Sequence, residues 1–249
     1  MSQADRWITT FKRNPNARVR LFCFPYAGAG TLPYRPWADA LPPEIEVSAI
    51  QLPGRETRYR EAALTELEPL ISTLTGVLYP HRLDRTFAFY GHSLGAIISF
   101  ELTRNLIKHY NVAPVHLFVS ARVAPHVTDL RPPIHLMSDQ DFKDKLRGLG
   151  GTPLGVLDSP DMAPLLNMLR ADFALNETYR YAAGDPLAVA MSVYGGTEDP
   201  KVTERELLAW QVHAKSRFDL RMFPGDHFFI NSSRPALLRA ITRELTSLI

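Results

Sequence analysis

Residues 86–106 read TFAFYGHSLGAIISFELTRNL and contain the pattern that decides the fold. The first five residues form a continuous apolar run, which is typical of a buried strand. From Leu94 onward apolar residues recur every four positions, as they do on one face of a helix. Between the two stands Gly91-His92-Ser93-Leu94-Gly95. A G-x-S-x-G sequence at a strand-to-helix turn is the pattern of a nucleophile elbow, in which the serine hydroxyl is exposed.

This stretch lies within the longest proline-free segment of the chain, residues 81–113, although 20 of the 249 residues are proline. Proline disrupts both helix interiors and the hydrogen-bond ladders of sheets. A segment without it suits a strand, a turn and a helix that follow one another without interruption.

Five further apolar runs resemble the strand before the elbow. They cover residues 19–24, 45–52, 115–120, 188–194 and 218–223, and most are continuous rather than alternating. Continuous runs are expected of parallel strands that are buried on both faces. Helical patterns stand between them, most clearly at residues 67–78, and another closes the chain at residues 235–249. We therefore predict an α/β fold with a mostly parallel central sheet and helices on both faces.

Residues 122–185 interrupt this alternation, because they contain no strand-like run and are too long for a simple connection. Ser138 followed by Asp141 resembles the capping box of a short helix. A second helix is predicted over residues 160–177, and its apolar side chains cover more than one face. We predict one domain over residues 1–249 with a helical lid inserted at about 123–185. The alternative is that these helices only complete the core.

The overall composition excludes several classes of protein. With 28 basic and 26 acidic residues the net charge is +2, which gives no field suited to nucleic acid. No apolar run approaches the roughly 18 residues of a membrane span, and the N-terminus has no apolar signal region. The single cysteine excludes a disulfide framework. We expect a cytoplasmic monomer without membrane association.

A nucleophilic serine needs a general base to take its proton, and the chain offers eight histidines. In an α/β-hydrolase the base follows the last strand, and His227 stands there, between the run at 218–223 and the final helix. His92 adjoins the serine and is predicted to be a buried structural residue. No histidine pair has metal-ligand spacing with supporting cysteine or carboxylate side chains, so neither a metal nor another cofactor is expected.

The base in turn needs an acid that fixes its tautomer. The run at 188–194 leads into a turn, Gly195 to Pro200, at the predicted carboxyl edge of the sheet, where ligands gather in open α/β sheets. We choose Asp199 in this turn, with Glu198 and Asp226 expected to point elsewhere. The order Ser93, Asp199, His227 is the order of an α/β-hydrolase triad.

Acyl transfer also needs donors for an oxyanion. The backbone amide of Leu94, which follows the nucleophile, is one candidate. The loop after the first predicted strand, Phe24 to Gly30, supplies the other, and either Tyr26 or Ala27 is the donor there.

With these residues in view, the chain resembles the type II thioesterases that accompany modular peptide and polyketide synthases. The resemblance covers nearly the whole chain and is carried, beside the elbow, by Phe24-Pro25-Tyr26-Ala27-Gly28, Gln51-Leu52-Pro53-Gly54-Arg55-Glu56, Leu169-Arg170-Ala171-Asp172-Phe173 and Gly225-Asp226-His227-Phe228-Phe229. It implies an acyl-enzyme at Ser93 and hydrolysis of acyl groups from the phosphopantetheine arm of acyl or peptidyl carrier proteins. It further implies an editing role that removes misprimed or stalled acyl units.

Two clusters of basic residues are candidates to meet an acidic carrier protein. One comprises Arg55, Arg58 and Arg60, and the other Lys143, Lys145 and Arg147. The alternative for the second cluster is an ordinary solvated surface. Arg55 follows a Pro-Gly turn, so its alternative role is to hold a loop.

Three other functions are compatible with parts of the pattern. A carboxylesterase or lipase would use the same triad on oxygen esters. A malonyl-type acyltransferase shares the Gly-His-Ser-Leu-Gly elbow but relies on a Ser–His pair and an arginine in a longer chain. A binding module that retains the fold would not need the complete set of Ser93, Asp199 and His227.

Overall fold

Seven strands form one sheet in the computed structural model, which describes residues 6–128, 131–151, 154–159 and 162–248. The strand order is β1-β3-β2-β4-β5-β6-β7, and every neighbouring pair is parallel except β1 and β3. The strands are β1 (Ile8–Thr10), β2 (Val19–Phe24), β3 (Ile45–Ile50), β4 (Phe87–His92), β5 (His116–Ser120), β6 (Ala190–Gly196) and β7 (Phe218–Phe223). The predicted mostly parallel sheet is confirmed, and its six predicted strands differ from the observed ones by at most two residues at either end.

The edge strand β1 is not anticipated by the sequence. It has three half-buried residues, and Ile8 pairs with Ile50 in an antiparallel register. A strand this short lacks both the length and the continuous apolar character that identify its buried neighbours.

Helices cover both faces of the sheet, as predicted. Alternate side chains of β2 enter different hydrophobic clusters, with Phe22 and Phe24 on one face and Leu21 and Cys23 on the other. The helices are α1 (Arg35–Ala40), α2 (Leu67–Leu78), α3 (Leu94–Tyr110), α4 (Asp139–Leu149), α5 (Leu154–Leu157), α6 (Ala163–Glu177), α7 (Glu204–Leu208), α8 (Phe229–Ser232) and α9 (Arg234–Thr246). The first face packs against α2 and α3, and the second against α1 and α9. This double-sided burial explains why the strand segments are apolar without alternation.

Three of these helices, α4, α5 and α6, lie between β5 and β6 and form the helical insertion. The hydroxyl of Ser138 accepts a hydrogen bond from the Asp141 amide at the start of α4, as the capping pattern predicted. The helix predicted over 160–177 begins at Ala163, and its predicted first residue, Pro160, lies outside the described residues. Most buried apolar side chains of the insertion form a cluster separate from the two faces of the sheet: Phe142, Leu146, Leu157, Met162, Leu166, Met168 and Leu169. Leu175 of α6 belongs instead to the core of the first face.

The last helix differs slightly from its predicted form. It begins at Arg234, with Ser233 at the N-cap position. The Ser233 hydroxyl donates to the Pro224 carbonyl and does not cap the helix. In the described part of the chain, no helix combines the length and the apolar character needed to cross a membrane.

Candidate active site

Ser93 occupies the turn between β4 and α3, at the carboxyl edge of the sheet. Its backbone angles are φ 52° and ψ −111°, a conformation that is costly for a residue with a side chain. The Ser93 amide donates to the Ser120 carbonyl at 2.7 Å, which ties the turn to the end of β5. The structure thus places the serine in the strained strand-to-helix turn that the sequence predicted.

The two glycines of the elbow are required by the closeness of backbone atoms. A Cβ atom added to Gly91 would lie 2.1 Å from the Gly95 carbonyl oxygen. One added to Gly95 would lie 2.1 Å from the carbonyl oxygen of Phe24 on β2. Since both obstacles are backbone, no side chain can be accommodated at either position without moving the strand and the helix apart.

His227 follows β7 on a turn, as predicted, and reaches back to the elbow. Its Nε2 atom lies 3.1 Å from the Ser93 hydroxyl oxygen, and its Nδ1 atom lies 2.7 Å from Oδ2 of Asp199. With Nδ1–H donating to the carboxylate, Nε2 is free to accept the serine proton. The three residues chosen from the sequence therefore form one hydrogen-bonded chain.

The Asp199 carboxylate is buried, and both of its oxygens are hydrogen-bonded. Its other oxygen, Oδ1, accepts a hydrogen bond from the Lys201 amide at 2.8 Å. Burial raises the pKa of Asp199, but the hydrogen bonds and charges of His227 and Lys201 together lower it below the ordinary value. As predicted, Glu198 is exposed, and Asp226 accepts from the Phe228 amide within its own loop.

His92 is fully buried, as expected, and supports the base directly. Its Nε2 atom is 2.9 Å from the carbonyl oxygen of His227, and its Nδ1 atom is 2.9 Å from the Ser120 hydroxyl. Burial, followed by the neighbouring His227, lowers the pKa of His92 to about 3. A neutral ring donates from one nitrogen and accepts at the other, so both bonds are satisfied at once. The sequence placed His92 in the core but gave no signal for this contact.

The loop after β2 lies beside the elbow, and two of its amides are already engaged. The Gly28 amide donates to Oδ2 of Asp172 at 2.8 Å, and the Ala29 amide donates to the Tyr26 carbonyl at 3.0 Å. Within the described residues, no partner engages the amides of Tyr26, Ala27 and Leu94. All three residues line the same cavity as Ser93.

This cavity has a volume of about 970 Å³ and lies between the sheet and the helical insertion. Ser93 and His227 line it from the sheet side, whereas Leu165, Leu169 and Phe173 of α6 line it from the insertion. Its size falls at the upper end of the roughly 300–1,000 Å³ of ligand pockets. The apolar residues of α6 therefore lie across the cavity from Ser93.

The prediction that the first basic cluster (Arg55, Arg58 and Arg60) forms a docking surface is largely wrong. Arg55 and Arg58 are only 6% and 7% exposed. Arg55 binds Asp172 and the loop carbonyls of Ala29 and Pro53, which makes the loop-holding alternative correct. Only Arg60 of the three is exposed to solvent. An arginine after a Pro-Gly turn gave no sequence signal of burial, because its partner Asp172 lies 117 positions away.

Comparisons with known proteins identify the family of the chain. The family model described as "Thioesterase domain" matches residues 19–245. The chain is 42% identical to the gramicidin S biosynthesis protein GrsT of Aneurinibacillus migulanus, over 98% of this chain and 96% of the relative. It is 34% identical to the thioesterase PikA5 of Streptomyces venezuelae, over 90% and 80% of the two chains.

Among solved structures, the type II thioesterase BorB from the borrelidin biosynthetic cluster has a TM-score of 0.87 with this chain. It is 34% identical, and the match covers 98% of this chain and 100% of that one. The resemblance to type II thioesterases that the motifs indicated is confirmed. The chain belongs to the thioesterase domain family.

Proposed function

We propose that this protein is a serine thioesterase that hydrolyses acyl groups from the phosphopantetheine arm of carrier proteins in peptide or polyketide biosynthesis. We further propose that it acts as an editing enzyme, which removes misprimed or stalled acyl units. The observation that carries the proposal is the hydrogen-bonded chain from Ser93 through His227 to Asp199, which opens into the cavity beneath α6. Family membership and the names of the relatives point to the same substrate class.

In the first half of the reaction Ser93 is the nucleophile. As its Oγ attacks the thioester carbonyl carbon, its proton passes to Nε2 of His227. The Asp199 carboxylate keeps the ring in the required tautomer and stabilises the imidazolium that forms. The C–O bond that forms and the opening of the carbonyl double bond give a tetrahedral adduct with a negatively charged oxygen.

The backbone amides of Leu94 and Ala27 are assigned to this oxyanion. Both residues line the cavity beside Ser93, and neither amide is engaged by another group in the described residues. We prefer Ala27 to Tyr26 because the peptide unit that contains the Ala27 amide also contains the Tyr26 carbonyl, which accepts from Ala29. That bond constrains the direction of the Ala27 amide from one side, since the two groups of a trans peptide point in opposite directions.

Collapse of the adduct breaks the C–S bond and leaves the acyl group on Ser93. The pantetheine thiol departs with the proton held by His227, and a thiol with a pKa near ~8.5 leaves more readily than an alcohol. His227 then takes a proton from a water molecule, whose oxygen attacks the acyl-enzyme. A second collapse frees the carboxylic acid and returns the proton to Ser93.

The apolar residues of α6 that line the cavity are suited to bind the acyl chain. Leu165, Leu169 and Phe173 present apolar surface opposite Ser93, where an acyl chain would lie. Two exposed basic residues are candidates to contact an acidic carrier surface: Arg60, between β3 and α2, and Lys145 on α4. Arg147, in contrast, is already paired with Asp144 and Asp158.

The chemistry is tested by comparing the wild-type protein with Ser93→Ala on an acyl-loaded carrier protein. We expect turnover to be lost in the variant, with folding and carrier binding unchanged. Matched thioester and oxygen-ester substrates with the same acyl group separate this function from a carboxylesterase. Undiminished hydrolysis by Ser93→Ala, or faster cleavage of the oxygen ester, would overturn the proposal.

The editing role is tested on carriers loaded with different acyl groups. Mass spectrometry before and after adding the enzyme measures which carriers are unloaded. Preferential removal of short, misprimed groups supports editing. Preferential removal of a completed product contradicts it and indicates product release.

A further inference from the structure

A buried ion pair links the helical insertion to the rest of the protein next to the catalytic residues. Asp172 is fully buried in the middle of α6, and Arg55 lies on the segment that follows β3. The two guanidinium nitrogens Nη1 and Nη2 donate to Oδ2 and Oδ1 of Asp172, each at 2.7 Å. Such a two-pronged pair fixes the relative orientation of its partners as well as their distance.

The same two side chains also bind the loop after β2. Oδ2 of Asp172 accepts the Gly28 amide at 2.8 Å, and Nη1 of Arg55 donates to the Ala29 carbonyl at 3.0 Å. The pair therefore binds both an N–H and a C=O group of the loop, on either side of the Gly28–Ala29 peptide. Gly28 and Ala29, which the pair contacts, are the two residues that follow Ala27 in the chain.

The effect on Ala27 follows from the planarity of peptide bonds. The Ala29 amide fixes the peptide unit between Tyr26 and Ala27, and Asp172 fixes the next unit, between Ala27 and Gly28. With both flanking planes set, the Ala27 amide has little rotational freedom. Gly28 adopts φ +83°, and a Cβ there would lie 2.7 Å from Leu169, so the loop is also enclosed by α6.

The next residue in the chain, Glu56, holds the far end of this loop. Its carboxylate accepts the amide of Thr31 at 3.0 Å and the amide of Leu32 at 3.1 Å. A Cβ at Gly30 would lie 2.3 Å from this carboxylate. Residues 55 and 56 therefore hold successive parts of the loop.

We propose that Arg55 and Asp172 are positioning residues that orient the Ala27 amide toward the oxyanion formed at Ser93. This inference rests on the proposed function and assigns the pair a role in the transition state. The pair also makes the orientation of the Ala27 amide depend on the position of α6, because Asp172 lies on that helix. Neither side chain is among the residues that line the cavity.

If Arg55 and Asp172 only stabilise the fold, replacing them should not lower kcat in a protein that remains folded. If they position the Ala27 amide, kcat should fall. Replacing both members of a buried ion pair by apolar residues is often neutral for stability, whereas removing one leaves an uncompensated charge. The double variant Arg55→Met/Asp172→Leu therefore keeps the fold and removes the contacts to Gly28 and Ala29. The matched control is Arg20→Met/Glu46→Leu, which removes another largely buried pair (2.7 Å), at the opposite edge of the sheet.

The test measures kcat and KM on an acyl-pantetheine thioester, together with binding of a trifluoromethyl ketone analogue that forms a tetrahedral adduct with the serine. Loss of one oxyanion donor typically lowers kcat by about 10²–10³-fold. We expect kcat of the Arg55/Asp172 double variant to fall about 100-fold, KM to stay within about threefold, and analogue affinity to fall in parallel with kcat. The Arg20/Glu46 control should keep wild-type values for all three.

A folded Arg55/Asp172 double variant with kcat within threefold of wild type overturns the inference. If that variant does not fold, Arg55→Lys is used to test the inference instead. Lysine keeps the positive charge, but it cannot bind both oxygens of Asp172 and the Ala29 carbonyl at the same time. Wild-type kcat in folded Arg55→Lys likewise overturns it, and a kcat loss of about tenfold at constant KM supports it. Failure of the proposed function is recognised separately, as persistent hydrolysis by Ser93→Ala.

Discussion

The sheet side and the helical side of the cavity are built in different ways. We call the elbow, the loop at residues 25–30 and the turns bearing Asp199 and His227 the floor, and helices α4–α6 the roof. In the floor, backbone atoms approach so closely that a Cβ at Gly91 or Gly95 would lie 2.1 Å from a carbonyl oxygen. The roof packs largely around its own apolar cluster, and it is joined to the rest of the protein by Leu175, which enters the core of the first face, and by the Arg55–Asp172 pair.

This difference assigns separate tasks to the two regions. The floor carries the residues that we propose for bond making, so a change there should affect every substrate alike. The roof presents apolar side chains to the acyl group, so a change there should depend on the length of the acyl chain. Substitutions in the floor and in the roof test this division.

The largest effect is expected from Gly95→Ala in the floor. Because the added methyl group would meet the Phe24 carbonyl, the strand and helix must separate, and we expect a loss of at least about 3 kcal/mol in unfolding free energy together with all activity. The matched control is Gly76→Ala at an exposed position of α2, where a Cβ meets nothing within 4 Å. The control should gain about 0.5–1 kcal/mol. Denaturant unfolding checks both, and equal stabilities of the two variants would contradict the packing argument.

Asp199→Asn should leave the fold intact and lower kcat by about 10³–10⁴-fold. An amide favours the wrong tautomer of His227 and does not stabilise the imidazolium. The control is Glu198→Gln, which changes an exposed neighbouring carboxyl and should leave kcat unchanged. Steady-state kinetics on one thioester measure both variants. A small effect at Asp199 with a large one at Glu198 would mean that the acid is misassigned.

The sequence predicts the floor far better than the roof contacts, for a physical reason. The elbow is a local pattern, and Asp199 and His227 are found because parallel strands bring their carboxyl ends to one edge of the sheet. The Arg55–Asp172 pair joins residues 117 positions apart, and neither residue stands out from other charged residues in sequence. The contact of His92 with the His227 carbonyl is equally long-range, across 135 positions.

Phe173→Ala in the roof should act on substrate choice. Phe173 lines the cavity and packs edge-to-face against Phe142 with 5.7 Å between ring centroids. Removing its ring takes apolar surface from the acyl site, and we expect kcat/KM to fall about tenfold for an eight-carbon acyl thioester. The acetyl thioester, which is too short to need that surface, should change less than about twofold. A uniform loss on both substrates would break the division between floor and roof.

Lowering the pH should decrease the free energy of unfolding because His92 is buried and neutral in the folded protein. Its pKa is lowered to about 3 in the folded protein by burial, so the unfolded chain binds one more proton between about pH 6.5 and 3. Stability is therefore lost as pH falls through this window and is unaffected above it. From pH 6.5 to 5 this amounts to about 2 kcal/mol at most.

Denaturant unfolding of the wild type and His92→Gln at several pH values measures this contribution. The acid-dependent loss between pH 6.5 and 5 should be smaller in His92→Gln. The control His81→Gln, at an exposed position, should keep the wild-type pH dependence. Identical pH dependence in all three proteins would contradict the assignment of a neutral, buried His92.

The central claim is that hydrolysis passes through an acyl group bound to Ser93. The most direct measurement mixes the protein with a slowly hydrolysed acyl-pantetheine, quenches the reaction in acid within the first turnover, and locates the added mass by peptide mass spectrometry. We expect an acyl group on the peptide containing Ser93, and no adduct with Ser93→Ala. Acylation of a different residue, or full turnover by Ser93→Ala, would contradict it.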